Sequence, residues 1–233
     1  MLDIESEKNP WNLRQCLVVL IGLLAAGYGM ALLVRITGNL LPLTWRYLLV
    51  GLSQGAAILA GLHYFVRKKY GLGLAALGVK AAAPGQVLAA GLGGGLVLFL
   101  LVVLVGVLLQ FFWPDQAPQP FTELVLNARR PADLAIPLFL GALVAPVTEE
   151  LYFRGFLFPA IKTRYGLPAG IIGSGLIFGF LHLDPVRLLP LALGGMGLAY
   201  LYERTENIFA PIVAHTTWNT IMILILYLAL RWV

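Results

Sequence analysis

Seven apolar runs follow one another along the chain, at 17–34, 47–66, 87–113, 134–161, 167–183, 188–202 and 208–230. A helix needs about 20 mostly apolar residues to cross the hydrocarbon of a bilayer, and most of these runs reach that length. Their continuity, without alternation of polar positions, predicts helices and not half-buried strands. The fold expected is therefore all-α: a polytopic membrane helix bundle of about seven transmembrane helices. Six to eight are compatible with the pattern, because the fifth and sixth runs are short. Between the third and fourth runs Pro114, Pro118 and Pro120 interrupt the helical pattern, and 121–128 reads as a short interfacial helix. This break divides the chain into an amino-terminal three-helix half with its loop and interfacial helix, 1–133, and a four-helix half, 134–233.

Composition agrees with the pattern. Apolar residues make up 60% of the chain and charged ones 12%, with a mean hydropathy of +0.87, which places the protein in a membrane. The formal charge of +5 does not point to nucleic acid, because the 16 Lys and Arg are scattered in short loops. Their excess around Arg67-Lys68-Lys69 predicts a cytoplasmic amino terminus, and the compact chain suggests a prokaryotic plasma membrane. Asp3, Glu5 and Glu7 precede Lys8 with no small-residue cleavage site, so the first run is expected to be a retained helix. The single cysteine, Cys16, allows no internal disulfide and is a poor candidate nucleophile. Gly51 and Gly55, Gly91 and Gly95, and Gly175 and Gly179 have the small-xxx-small spacing of closely packed membrane helices. Nothing in the sequence sets an oligomeric state.

Against this background, Glu149, Glu150 and Arg154 stand out inside the fourth run. A charge at the bilayer centre costs about 2.5 to 3.5 kcal/mol on insertion scales, so three within six residues call for a compensating purpose. Glu150 and Arg154 are four apart with the acid first, the favourable order for an ion pair on one helix face. Glu149 points about 100 degrees away and is free for chemistry. If the fourth and fifth runs form a hairpin turning near Gly166, Glu149 and His182 both lie about 25 Å from the turn, level in depth and able to face each other. A kink at Pro159 would shift this register. His215 and Asn219, also four apart, share a face of the last helix at a similar level. The bland alternative is that these polar groups only knit the bundle together. His63 reads as an interfacial residue, Asp184-Pro185 as a helix stop, and Trp218 and Tyr152 as packing or cavity walls within reach of a substrate.

The set Glu149-Glu150-xxx-Arg154, Phe178-xxx-His182 and His215-xxx-Asn219 resembles the three motifs of the CAAX protease and bacteriocin-processing family, relatives of the Ras-converting CAAX endopeptidase. The resemblance covers about 134–223 and leaves the first half, where substrate class is expected to vary, outside. It implies a membrane-embedded endopeptidase acting on a membrane-associated or lipidated, CAAX-type peptide. In that reading Glu149 and His182 hold and deprotonate the attacking water, His215 and Asn219 stabilise the oxyanion, and Glu150 with Arg154 balances charge. No cofactor is expected. HExxH is absent and no second cysteine is present, which favours metal-free chemistry; zinc is the alternative, with Glu149, His182 and His215 as its ligands. Two other classes compete: a catalytically silent scaffold or bacteriocin-immunity protein of the same fold, and a small transporter, against which the lack of repeated hydropathy halves counts.

Overall fold

The computed structural model describes residues 9–37, 40–114 and 119–229. Asp3, Glu5, Glu7, Lys8, Pro118 and Leu230, on which part of the sequence reading rests, lie outside these. Among the described residues the chain is mostly helical, with short connecting turns and no strands. In order, the helices are α1 (Leu13–Ile36), α2 (Leu43–Lys69), α3 (Pro84–Phe112), α4 (Pro120–Leu126), α5 (Pro131–Tyr165), α6 (Leu167–Phe180), α7 (Leu188–Thr205) and α8 (Phe209–Ala229).

Five of them, α1, α2, α3, α5 and α8, are long and apolar enough to cross a membrane, and the protein is an integral membrane protein. The fifth and sixth apolar runs form α6 and α7 instead of adding two full spans to that set. With 14 residues α6 is about 21 Å long, short of the roughly 30 Å of a hydrocarbon core. The 18 residues of α7 carry Glu203 and Arg204 in the last turn before the helix ends at Thr205. These two helices pack on each other and against α3, α5 and α8, so neighbouring helices cover much of their surface.

Small residues set the helix spacings. A Cβ on Gly175 would lie 2.7 Å from the Met196 nitrogen, and one on Gly179 2.7 Å from the Leu188 carbonyl, so α6 and α7 touch backbone to backbone. On the other side of α7, α3 runs along α8, where a Cβ on Gly95 would meet the Ala214 carbonyl at 2.5 Å. Without a hydrophobic drive between helices in lipid, such close approach is what gains dispersion energy. The spacing of Gly51 and Gly55 serves a looser contact, facing Leu140 and Thr148 side chains of α5.

Helix α5 carries the intramembrane charges, and it is not a regular α-helix. Residues Phe139–Val144 and Phe153–Leu157 are π-helical, and each wide turn comes just before a proline, Pro146 and Pro159. A proline removes one N–H and pushes its ring against the carbonyl four residues back; widening the preceding turn relieves that clash without breaking the helix. The expected disturbance at Pro159 thus takes the form of a π turn. Between the two wide turns, the α-helical piece Ala145–Tyr152 presents Thr148, Glu149 and Glu150.

The start of α1 is fastened to the second π turn. Asn12 and Gln15 form a reciprocal capping box, which fixes the first turn. Just before it, the Trp11 indole donates to the Phe156 carbonyl at 2.7 Å and stacks on the Phe156 ring with centroids 4.7 Å apart. Tyr152 returns a bond to the Cys16 carbonyl at 3.0 Å. At the opposite end of α5, the short α4 buries Leu124 and Val125, the latter in a cluster with Leu134, Ile223 and Tyr227. It is therefore wedged among α2, α5 and α8 as well as amphipathic.

Candidate active site

The centre of the bundle is a chain of polar contacts that begins at Arg154. Its Nη1 donates to Glu150 Oε1 at 2.8 Å and its Nη2 to the Gly195 carbonyl of α7 at 2.9 Å. Both side chains of this ion pair are fully buried. Taking two ions out of water costs several kcal/mol each, which their attraction offsets only with good geometry and further partners. Arg154 finds those partners in the Gly195 carbonyl and in the Phe178 ring, whose centroid lies 5.0 Å from the guanidinium carbon.

Glu150 has a second donor. His215 Nδ1 of α8 lies 2.7 Å from the same Oε1. On the far side of that imidazole, Nε2 is 4.0 Å from Glu149 Oε2. The two adjacent glutamates therefore lie at opposite edges of one ring, Glu150 within hydrogen-bond distance and Glu149 beyond it. Their environments differ: the Glu150 side chain has no exposure, whereas that of Glu149 keeps 27%. The carboxylate open to a water or a substrate is that of Glu149.

His182 is not on α6, where the apolar run placed it, but two residues past its end. The helix stops at Phe180, and His182 sits in a turn with its Nδ1 2.9 Å from the Phe178 carbonyl, one of those left unpaired by the helix end. No hydrogen bond or ion pair joins Glu149 to His182 among the described residues. The polar partner of Glu149 is His215, and His182 reaches the centre through Phe178, whose ring lies 5.1 Å from the His182 ring and 5.6 Å from that of His215. The hairpin at Gly166 exists as the sequence suggests, with Gly166 at φ +86°. Depth alone, however, does not set which side chains meet, because the π turns rotate the α5 faces and the end of α6 swings His182 outward.

Asn219, one turn beyond His215 on α8, donates to the Gly141 carbonyl at 2.7 Å, within the first π turn of α5. One amide hydrogen is thus committed to α5 and the other is available. Trp218 packs on His215 with centroids 5.6 Å apart, closing that side with an aromatic wall. After His182, Asp184 accepts from the Val186 and Arg187 backbone nitrogens at 3.2 and 3.0 Å and pairs with the Arg187 side chain, so the turn into α7 is tied down. Burial pushes the Asp184 carboxyl up, but the Arg187 backbone and side-chain bonds and charge, with the Val186 bond, outweigh it and hold the group below the usual carboxylate range.

Among the described residues no group of three or more His, Cys, Asp or Glu is close enough to hold a metal ion. Glu149 and His215 supply two of the donors a zinc site would take, and His182 stands apart beyond Phe178. This donor set does not fit zinc, and no step below runs through a metal.

Backbone carbonyls complete the site where sequence motifs are silent. Gly195, Gly141 and Phe178 each accept from a site residue through the main chain, and a carbonyl has no residue-type signature.

Residues 131–221, which hold every site residue named above, match the model of the type II CAAX prenyl endopeptidase Rce1-like family. YdiL of Bacillus subtilis (strain 168), a candidate membrane peptidase by name, is 39% identical over 94 residues. That match covers 39% of this chain and 38% of the relative, so the likeness spans well under two thirds of the relative's length. No solved structure matches the chain.

Proposed function

We propose that this protein, whose residues 131–221 match the model of the type II CAAX prenyl endopeptidase Rce1-like family, is a membrane endopeptidase that hydrolyses a peptide bond of a membrane-associated or lipidated, CAAX-type peptide. The observation that carries the proposal is the unequal pair of glutamates around His215: Glu150 is spent on Arg154 and His215, while Glu149 remains open. A buried pair that only knitted helices would need no second, accessible carboxylate beside it.

In this reading Glu149 takes a proton from water as its oxygen attacks the scissile carbonyl, and His182 helps to hold that water from the end of α6. His215 and the uncommitted amide hydrogen of Asn219 face the carbonyl oxygen as it gains charge. Arg154 holds the Glu150 carboxyl group in place, so the centre stays rigid while protons move across it. Water activation is proposed to be metal-free.

The test is cleavage of a lipidated carboxy-terminal peptide library by purified protein in liposomes, before and after chelation. Glu149→Gln and His182→Ala are expected to abolish cleavage while membrane insertion is kept, and chelation is expected to leave it intact. Full activity of Glu149→Gln would overturn the mechanism; loss on chelation with recovery on adding zinc would overturn its metal-free part.

A further inference from the structure

The hydrogen-bond partners of the two histidines fix where their protons sit. A backbone carbonyl only accepts, so His182 Nδ1, 2.9 Å from the Phe178 oxygen, must carry the hydrogen of that bond. Glu150 Oε1 likewise accepts from Arg154 Nη1 at 2.8 Å, and a carboxylate held by a guanidinium is an acceptor towards His215 Nδ1 as well. A neutral imidazole carries one hydrogen only. In the neutral form of each ring, a hydrogen on Nδ1 leaves Nε2 bare.

We propose that both site histidines are locked with their proton on Nδ1, His215 by Glu150 and His182 by the Phe178 carbonyl, so that two unprotonated Nε2 atoms are offered to the reaction. Glu150 is on this account a positioning residue, acting through His215, beyond its pairing with Arg154. The arrangement is the reverse of the tautomer that a free neutral histidine side chain prefers in water, which carries its proton on Nε2. It is therefore imposed by the fold.

This deepens the hydrolysis proposed above and rests on that reading for its chemical meaning. The oxygen of water bonds to the scissile carbon and its proton passes to Glu149. From there it reaches His215 Nε2, 4.0 Å away, which can receive it only because it holds none at rest. While protonated, Nε2 is a donor towards the oxyanion. When the C–N bond breaks, the leaving nitrogen takes that proton, and peptide plus water has become acid plus amine.

The measurement is nitrogen-15 NMR of the full chain, labelled at histidine, in lipid nanodiscs at pH about 8, above the usual imidazole range of about 6.5. His63→Gln, His182→Asn and His215→Asn assign the three rings. Signals of His182 and His215 with Nδ1 protonated and Nε2 bare are expected. A proton on Nε2 of either ring, alone or together with Nδ1, would overturn the proposal. In the double variant Glu150→Leu with Arg154→Met, which replaces the buried pair by apolar groups, His215 is expected to move to the Nε2 proton while His182 stays unchanged. An unchanged His215 there would remove Glu150 from the positioning role, and if the double variant does not fold, the wild-type spectrum decides. The spectrum reads the tautomers whether or not the protein cleaves a peptide, so its outcome is separate from the cleavage assay.

Discussion

His215 Nδ1 lies 2.7 Å from Glu150 Oε1 across 65 residues of sequence, and this contact joins the last helix to the charged turn of α5. Arg154 and His215 thereby share one carboxylate oxygen of Glu150, and all three side chains are buried. The stability of the centre is collective, and removing one member strands another.

Arg154→Met should consequently lower stability by about 3 to 5 kcal/mol, the cost of leaving a buried charge unpaired. Adding Glu150→Leu to it should restore much of that loss. Thermal unfolding of the purified proteins in one detergent checks both; equal melting temperatures for wild type and Arg154→Met would refute the collective account.

Gly179→Val tests the α6–α7 contact. The new side chain would start 2.7 Å from the Leu188 carbonyl and 2.8 Å from the Ala192 nitrogen, and backbone cannot swing aside as a side chain can. Overpacking of this kind costs about 1 to 3 kcal/mol. Because His182 follows three residues later, cleavage should fall further than the change in melting temperature explains. Turnover and melting measured on the same preparation would show it.

Trp11→Phe keeps an aromatic ring for Phe156 but removes the indole donor, so the buried Phe156 carbonyl loses that bond. A loss of about 1 to 3 kcal/mol is expected. Hydrogen exchange should rise first in 153–157, the π turn that Trp11 holds. Exchange unchanged in that segment would show that the latch does not stabilise the turn.

Asp184 lies outside the membrane-spanning helices and gives a pH dependence of known sign. Its carboxyl is held below the usual range in the folded state, so its stabilising effect is present above that range and is lost as pH falls through the folded value. Wild-type melting temperature should decline on acidification below the usual carboxylate range. Asp184→Asn should start lower at neutral pH and lose less across the same interval. Parallel curves for the two proteins would contradict the assignment.

Much of this protein was legible in its sequence. Runs of apolar residues dictate membrane helices because unpaired backbone groups are intolerable in hydrocarbon, and Glu149, Glu150, Arg154, His182, His215 and Asn219 are conspicuous because polar side chains there are costly. The spacing of Glu150 and Arg154 contains their ion pair, since one helical turn brings them together whatever surrounds them. Which imidazole meets which glutamate was decided only in three dimensions. That choice depends on two π turns that rotate the faces of α5, on α6 ending at Phe180 before His182, and on glycine contacts that set how near α7 and α8 approach. Local pattern fixes what lies within a turn or two of helix. The pairing of Glu149 and Glu150 with His215 depends on helix rotation and separation, quantities that arise from the packing of the whole bundle.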